Sequence, residues 1–158
     1  MNGFQSKLVH GGEPEERVGG AIVPPIYQSA TFEQVPGTGY HDGRYIRLSN
    51  TPSHDLLHDK LSLICGTEAA LVASSGMAAI TSTLLALLGS GDTVVAQDLL
   101  YGGTESFLAS EVPRWGIEVQ RIDACDVSSW GTPPPSARVL YCEAITNPTC
   151  RIGDLRAL

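Results

Sequence analysis

The sequence predicts an α/β fold with a mostly parallel sheet, preceded by an extended N-terminal arm. From residue 52 onward, short apolar runs alternate with longer runs of helical periodicity, which is typical of a parallel sheet covered by helices on both faces. Residues 1–51 are instead rich in Gly and Pro and show little periodicity. An arm of this length is unusual in a compact domain and indicates a functional or intersubunit role. We therefore divide the chain into an N-terminal arm, 1–51, and the first part of an α/β domain, 52–158.

The individual elements follow in chain order from the periodicity. Apolar residues after Pro52 recur at helical spacing until Gly66, which predicts the first helix and its end. Four short apolar runs then predict strands, and two longer runs between them predict buried helices. After Ile152 the chain looks like a loop that opens a helix, with Asp154 as its cap. A finished domain rarely ends in this way, so we expect a truncated chain. The predicted strands are 69–73, 93–96, 117–122 and 138–143, and the predicted helices between them are 77–88 and 105–115.

Composition excludes several classes of function. Seventeen acidic and ten basic residues give a formal net charge of −7, which argues against a nucleic-acid partner, because such surfaces need clustered Lys and Arg. The first residues contain no apolar signal segment, and no apolar run reaches the roughly 20 residues that a membrane span needs. The cysteines lack CxxC spacing, so we expect reduced structural thiols, a cytoplasmic protein and no zinc site. The four cysteines are Cys65, Cys125, Cys142 and Cys150.

The first candidate site is the turn Ser74-Ser75-Gly76-Met77, which lies between a predicted strand and a predicted helix. A helix N-terminus offers free N–H groups and a partial positive charge, so it can hold a phosphate. Gly76 allows the backbone to approach an anion closely, and the hydroxyl of Ser74 or Ser75 can add a hydrogen bond. The turn has neither the Gly-Lys-Ser/Thr ending of a Walker loop nor the GxGxxG pattern. Tight packing of small residues, with no ligand, is the alternative.

Further candidates lie in two loops and in the arm. Tyr101 follows the second predicted strand, and loops at the C-terminal ends of parallel strands line the ligand crevice, so its ring can stack on an aromatic ligand. Asn147 follows the fourth strand, where the next proline holds its amide in a turn. Tyr45 and Arg47 alternate and therefore share one face of an extended segment, where they can bind a phosphate together. An ordinary turn or a surface pair is the alternative for each.

Taken in order, these segments resemble the Cys/Met-metabolism family of pyridoxal-phosphate enzymes. That family includes cystathionine γ-synthase, cystathionine β- and γ-lyases, methionine γ-lyase and the O-acylhomoserine sulfhydrylases. Each segment alone is a weak signal, but five of them in family order and spacing are a strong one, and together they cover nearly the whole chain. The segments are Pro-Pro-Ile-Tyr-Gln-Ser-Ala-Thr-Phe at 24–32, Tyr45-x-Arg47, Ser-Ser-Gly-Met-Ala-Ala-Ile at 74–80, Leu-Tyr-Gly-Gly-Thr at 100–104 and Glu-x-x-Thr-Asn-Pro at 143–148.

The resemblance implies a part of the large domain of fold type I, the aspartate-aminotransferase-like transferases, with pyridoxal 5'-phosphate as cofactor. It further implies a homodimer or homotetramer that acts on a cystathionine- or homoserine-derived substrate. By resemblance, Tyr101 stacks on the pyridine ring as the catalytic residue, and Asn147 lies near the phenolic oxygen. Tyr45 and Arg47 reach the phosphate of a neighbouring subunit. The cofactor-binding residues implied in this way are Tyr45, Arg47, Ser75, Gly76, Met77, Tyr101 and Asn147.

The chain also departs from the family pattern. Ile145 replaces a proline that is common between the Glu and the Asn, and Gly103 stands where some methionine γ-lyases carry a cysteine, which disfavours that activity. The lysine that forms the Schiff base with the cofactor is absent, since neither Lys7 nor Lys60 matches it. We therefore expect an enzyme by family whose 158-residue chain is inactive alone. The alternatives are a non-catalytic fragment or pseudoenzyme with the same half-fold, and a nucleotide-binding α/β domain, which the absence of a glycine fingerprint disfavours.

Overall fold

The computed structural model describes residues 3–39, 42–126, 128 and 130–156. The chain forms two compact units, Met1–Val72 and Ala73–Leu158, and each is described by itself. The boundary after residue 51 that the sequence suggests separates an arm from an α/β domain by their expected functions, and it remains a prediction. Within the described ranges, no helix is long and apolar enough to cross a membrane.

The first unit is built on two helices, α1 (Phe4–His10) and α2 (Pro52–Cys65). Pro52 at the first position of α2 suits a helix start, because its missing N–H would have no intrahelical partner there. Gly66 ends α2 in the left-handed conformation, at φ 69°, as the sequence predicts. Two short 3₁₀ turns, Val18–Gly20 and Ile46–Leu48, lie between these helices.

The start of the arm lies directly on α2. The ammonium of Lys60 donates a hydrogen bond to the carbonyl of Val9, 3.0 Å away. Gly12 has a φ of +72°, and a Cβ at this position would come within 2.6 Å of the Lys60 amide nitrogen. Only glycine combines this backbone conformation with so close an approach. The contact between the arm and α2 therefore depends on Gly12.

The second unit contains a parallel sheet of three strands, β1 (Thr93–Gln97), β2 (Glu118–Ile122) and β3 (Ala137–Tyr141), in the order β2-β1-β3. Helix α3 (Gly76–Leu87) precedes β1. Helix α4 (Gly102–Ser106) follows β1 and continues as a π turn over 107–111 and a 3₁₀ turn over 112–115. The predicted parallel α/β arrangement is confirmed.

The core of this unit lies around the central strand. All five residues of β1 are buried, which explains why its sequence is an apolar run rather than an alternation. Side chains of α3 and of the helical segment after α4 pack against it, and Leu108 and Val112 are at most 1% exposed. The main core cluster comprises Leu84, Leu88, Val94, Ala96, Leu100, Leu108, Val112 and Ile117.

The two outer strands differ in composition. Strand β2 reads Glu-Val-Gln-Arg-Ile, so three of its five side chains are polar. Strand β3 reads Ala-Arg-Val-Leu-Tyr, and its Leu140 is 45% exposed. In the described part of the chain, each outer strand pairs only with β1.

Three boundaries differ from the sequence-based expectation. Residues 69–73 form no strand and have no pairing partner in the described ranges, and Leu71 is 77% exposed. A strand exists only where a neighbour completes its hydrogen bonds, so apolar sequence alone is insufficient there. The helix expected from residue 105 begins earlier, at Gly102. Residues 153–156 contain a turn rather than a helix, and residues 157 and 158 lie outside the described ranges.

Candidate functional site

The loops that follow β1 and β3 leave the same edge of the sheet. The chain passes from β1 to β2 on one side and returns to β3 on the other side of β1. In an open α/β sheet, such a reversal of strand order opens a crevice at the carboxyl ends of the two strands. Tyr101 lies on the loop after β1, and Glu143 and Asn147 lie on the loop after β3. The topology therefore brings these predicted residues to one edge.

Direct hydrogen bonds join the two loops. The Tyr101 amide donates to Oε1 of Glu143 at 3.0 Å. The Glu143 amide in turn donates to Oε1 of Gln97 at 2.9 Å, so a buried side chain at the end of β1 holds the start of the loop after β3. Because this amide bonds to a side chain, the ladder of β3 ends at Tyr141 rather than at the predicted residue 143. Glu143, the first residue of the family-like segment 143–148, therefore holds the backbone of Tyr101 in place.

The ring of Tyr101 lies over Gly103 and is 46% exposed. A Cβ on Gly103 would come within 2.7 Å of Cε1 of Tyr101 and 3.0 Å of Sδ of Met77. The hydroxyl of Thr104, which is fully buried, donates to the same sulfur at 3.8 Å. The first turn of α3 and the Tyr101 loop are therefore in contact. One face of this arrangement is solvent-accessible aromatic surface.

Ser75 caps the N-terminus of α3. Its Oγ accepts a hydrogen bond from the amide of Ala78 at 3.0 Å, and its carbonyl accepts one from Ala79 at 3.0 Å. The amides of Gly76 and Met77, in the first turn, have no partner within the helix. A Cβ on Gly76 would meet no atom within 4 Å, so close packing does not explain this glycine. The turn presents donors and space of the kind that an anion requires.

Asn147 lies at the tip of a short hairpin after β3, closed by a bridge between Ile145 and Ile152. The peptide bond between Asn147 and Pro148 is cis. Beneath it, the Thr146 hydroxyl is buried and accepts from the amide of Arg151 at 2.8 Å. The Asn147 side chain is exposed and forms no hydrogen bond with any other described residue. The buried Thr146 therefore holds the hairpin in place, while the side chain of Asn147 remains exposed.

Tyr45 and Arg47 belong to the first unit. The guanidinium carbon of Arg47 lies 5.1 Å from the centroid of the Tyr45 ring, within the range of a cation–π contact. The expected extended segment is wrong, however, because Ile46–Leu48 form a 3₁₀ turn after the extended Tyr45. The turn brings the two side chains together, and the amide of Tyr45 is held by Oδ1 of Asn50 at 2.9 Å.

Few groups around the sheet have a shifted acidity. Burial raises the pKa of Tyr141, and a hydrogen bond with Thr104 partly offsets that rise. Burial also raises the pKa of Cys142. The described cysteines are free thiols, and three of them are exposed. Among the described residues, no group of three or more His, Cys, Asp or Glu side chains is placed to hold a metal ion.

Sequence reasoning missed two residues of this edge. Gln97 is 1% exposed and Thr104 is fully buried, yet both bond to groups that position the Tyr101 loop. A signal for Gln97 was present, since it is the polar residue that closes the apolar run of β1. Thr104 gave no such signal, because its role depends on the non-local contact with Met77.

A helix start with free amides beside an exposed aromatic ring, at the carboxyl edge of a parallel sheet, is an arrangement that suits a phosphorylated aromatic ligand. The family model described as Cys/Met metabolism PLP-dependent enzyme, where PLP is pyridoxal phosphate, matches residues 5–158. The chain belongs to this family. Its cofactor is therefore pyridoxal 5'-phosphate, and its fold is that of the fold type I enzymes.

Individual relatives agree with the family. The chain is 36% identical to L-methionine gamma-lyase of Pseudomonas putida, across 98% of this chain and 41% of that protein. It is 37% identical to cystathionine gamma-lyase of Bacillus subtilis, across 94% of this chain and 39% of that protein. The crystal structure of cystathionine gamma-lyase from Lactobacillus plantarum, complexed with L-serine, superposes with a TM-score of 0.86 at 27% identity, across 96% of this chain and 39% of that one. The chain thus spans about two fifths of the length of these relatives.

Proposed function

We propose that this chain supplies the phosphate and ring contacts of a pyridoxal-phosphate-dependent trans-sulfuration enzyme. Its reaction would be cleavage or replacement at the β- or γ-carbon of a cystathionine- or homoserine-derived amino acid. The observation that carries the proposal is the contact between the first turn of α3 and the Tyr101 loop through Met77 and Gly103. This contact supports the proposal, because it brings a helix start with free amides next to an exposed aromatic ring.

The residues present fit the cofactor in shape and charge. The phosphate is an anion, and the free amides of Gly76 and Met77 at a helix start favour an anion. The Ser75 hydroxyl bonds to the Ala78 amide and retains a proton that it can donate outward. The exposed face of Tyr101 would stack on the pyridine ring, and Asn147 would offer its amide to the phenolic oxygen.

When bound, pyridoxal phosphate withdraws electrons from the amino-acid substrate, which makes cleavage at its β- or γ-carbon feasible. The residues of this chain would orient the ring and shield it from water. Tyr101 has the additional capacity to accept or donate a proton at its phenolic oxygen. Glu143 accepts a hydrogen bond from the amide of Tyr101 and so restrains the backbone that carries the ring.

Tyr45 and Arg47 are proposed to bind the phosphate of a neighbouring subunit in a homodimer or homotetramer. The cation–π contact between Arg47 and Tyr45 supports this role. It holds the guanidinium in one place, while the N–H groups of the guanidinium remain available to a phosphate. A cytoplasmic location also remains a prediction from the sequence.

A non-catalytic role with the same half-fold is the second candidate. The sequence contains two lysines, Lys7 and Lys60, and Lys60 is engaged with the carbonyl of Val9. Neither matches the family motif for the Schiff-base lysine. On this reading the 158-residue chain binds the cofactor weakly and reversibly, and it does not turn over cystathionine or an O-acylhomoserine.

Two experiments test the proposal. Calorimetry with 4'-deoxypyridoxine 5'-phosphate, which has the ring and phosphate but no aldehyde, should show binding that Tyr101→Ala weakens and Tyr101→Phe largely keeps. Equal binding by all three proteins would remove the stacking role. Borohydride reduction with pyridoxal phosphate then tests for a covalent adduct. Stoichiometric labelling of Lys7 or Lys60, together with turnover of cystathionine, would overturn the assignment of this chain as inactive alone.

A further inference from the structure

We propose that Gln97 is a positioning residue of this site, whose buried carboxamide sets the place of Tyr101 by way of Glu143. The inference rests on the proposed function, because it concerns the tyrosine that is proposed to stack on the cofactor. It assigns a role to a residue that none of the five family-like segments contains.

The carboxamide of Gln97 is held at both ends. Its Oε1 accepts the hydrogen bond from the Glu143 amide at 2.9 Å, and its Nε2 donates to the carbonyl of Leu99. The residue is 1% exposed, so neither bond can be exchanged for one with water. An unpaired polar group at such a site is strongly disfavoured. The carboxamide therefore has one stable orientation.

The position of Gln97 in the sheet explains why a side chain is needed there. Strands β1 and β3 are paired up to Ala96 and Tyr141, after one shift of register between Thr93 and Val94. Beyond that pair the strands separate to form the crevice, and no main-chain acceptor of β1 serves the Glu143 amide. The Gln97 side chain supplies that acceptor. It acts as a last rung of the β1–β3 ladder at the point where the crevice opens.

Two chains of hydrogen bonds connect Gln97 to Tyr101. On one side, Glu143 carries the restraint to the Tyr101 amide at 3.0 Å. On the other side, the main-chain carbonyl of Gln97 accepts from Nη1 of Arg121 at 3.3 Å, and Nη2 of Arg121 is paired with Glu105 at 2.9 Å. The amide of Glu105 donates to the Tyr101 carbonyl at 2.9 Å. Both peptide groups that flank Tyr101 are thus tied to Gln97.

The test compares two buried polar residues at opposite ends of β1. Gln97→Met removes the bridge with little change in volume. Thr93→Val is the matched control, since Thr93 is 1% exposed and its hydroxyl bonds to Ser136 at 2.9 Å, far along the strand from Tyr101. The 158-residue protein is titrated with 4'-deoxypyridoxine 5'-phosphate, and amide hydrogen exchange is measured without ligand.

We expect Gln97→Met to weaken binding of this analogue by about 3- to 10-fold, the size of one lost hydrogen bond. The Tyr101 and Glu143 amides should exchange faster, while the β1–β2 ladder stays protected. Thr93→Val should lower thermal stability without either effect. Equal affinities and equal exchange in the two variants would overturn the role of Gln97. An unmodified protein that does not bind the analogue at all would instead overturn the proposed function, and this inference with it.

A variant that fails to fold is also decisive. If Gln97→Met does not fold, Gln97→Asn replaces it in the same comparison, because it keeps a carboxamide that is one methylene too short for the bridge. Faster exchange at Tyr101 in a folded Gln97→Asn protein supports the role. Loss of folding in both variants would make Gln97 a residue required for folding and would overturn its assignment as a positioning residue.

Discussion

Replacement of Gly103 by alanine should displace the Tyr101 ring. The added Cβ would lie 2.7 Å from Cε1 of Tyr101 and 3.0 Å from Sδ of Met77. Carbon atoms are in favourable contact at about 3.5–4.0 Å, so the ring must move by roughly 1 Å. The ring is 46% exposed and can swing outward, whereas Met77 is anchored in α3. We therefore expect the movement at Tyr101.

The cost to folding should be small and the cost to binding larger. Overpacking of a rigid site costs about 1–3 kcal/mol, but an exposed ring relaxes, and alanine in a helix gains up to ~1 kcal/mol over glycine. Stability should therefore change by less than about 1 kcal/mol. A displaced ring loses its stacking geometry, which is worth about 0.5–1.5 kcal/mol. That corresponds to roughly a 2- to 13-fold weaker affinity for 4'-deoxypyridoxine 5'-phosphate.

The matched control is Gly102→Ala, one residue earlier in the same helix. A Cβ at that position meets no atom within 4 Å, so the variant has the same change in helix propensity without the collision. Calorimetry measures the affinity, and a crystal structure of each variant measures the position of the ring. Indistinguishable affinities for Gly102→Ala and Gly103→Ala, with an unmoved ring in both, would refute the reasoning.

Three further predictions concern other parts of the second unit. Ser75→Ala should lower the free energy of unfolding by about 1 kcal/mol, because α3 loses its N-terminal cap. Denaturant unfolding measures this change, and the control Ser82→Ala in the same helix should not show it. An unchanged stability of Ser75→Ala would contradict the capping role of Ser75. Iodoacetamide should label the exposed Cys65, Cys125 and Cys150 before Cys142, whose pKa is raised by burial; mass spectrometry that finds Cys142 labelled first would argue against this order. The hydrogen bond from the Cys125 amide, aided by Arg151, lowers the pKa of Asp123, so its stabilising effect should be present above about pH 4 and lost as the pH falls further. The fluorescence of Trp130, whose indole donates to the Asp123 carbonyl at 2.6 Å, should report that loss, and an identical acid profile in Asp123→Asn would count against it.

The parallel sheet was predictable because its strands are marked by local sequence. The run Thr-Val-Val-Ala of β1 is apolar on both faces, as a central strand requires, and Gly66 and Pro52 mark the ends of α2 by backbone chemistry alone. Residues 69–73 have the same apolar character, but they form no strand, because pairing depends on a neighbour that the local sequence does not specify. Helix α1 was missed for the opposite reason, since its short span is flanked by glycines that read as loop.

The candidate site could be predicted in part. Tyr101 and the Ser75-Gly76-Met77 turn were identified from their positions after and before predicted elements, and the structure brings them into contact. Gln97 was not identified, because its importance lies in a hydrogen bond to Glu143, 46 residues away. The side chains of Tyr45 and Arg47 lie close together, but a 3₁₀ turn and not strand alternation brings them there, and their role remains a prediction. Spacing locates a side chain along the chain, but only the tertiary path decides what it meets.

The unlike outer strands give the sheet a preferred direction of growth. Charged and polar side chains on β2 oppose the addition of another strand, as they do at natural sheet edges. Strand β3 carries one charged side chain, Arg138, and its half-exposed Leu140 offers an apolar contact to an incoming strand. A further β-strand would therefore add more readily beside β3 than beside β2. The crevice between β1 and β3 would then lie near the middle of the enlarged sheet, and its side chains would be enclosed from both sides.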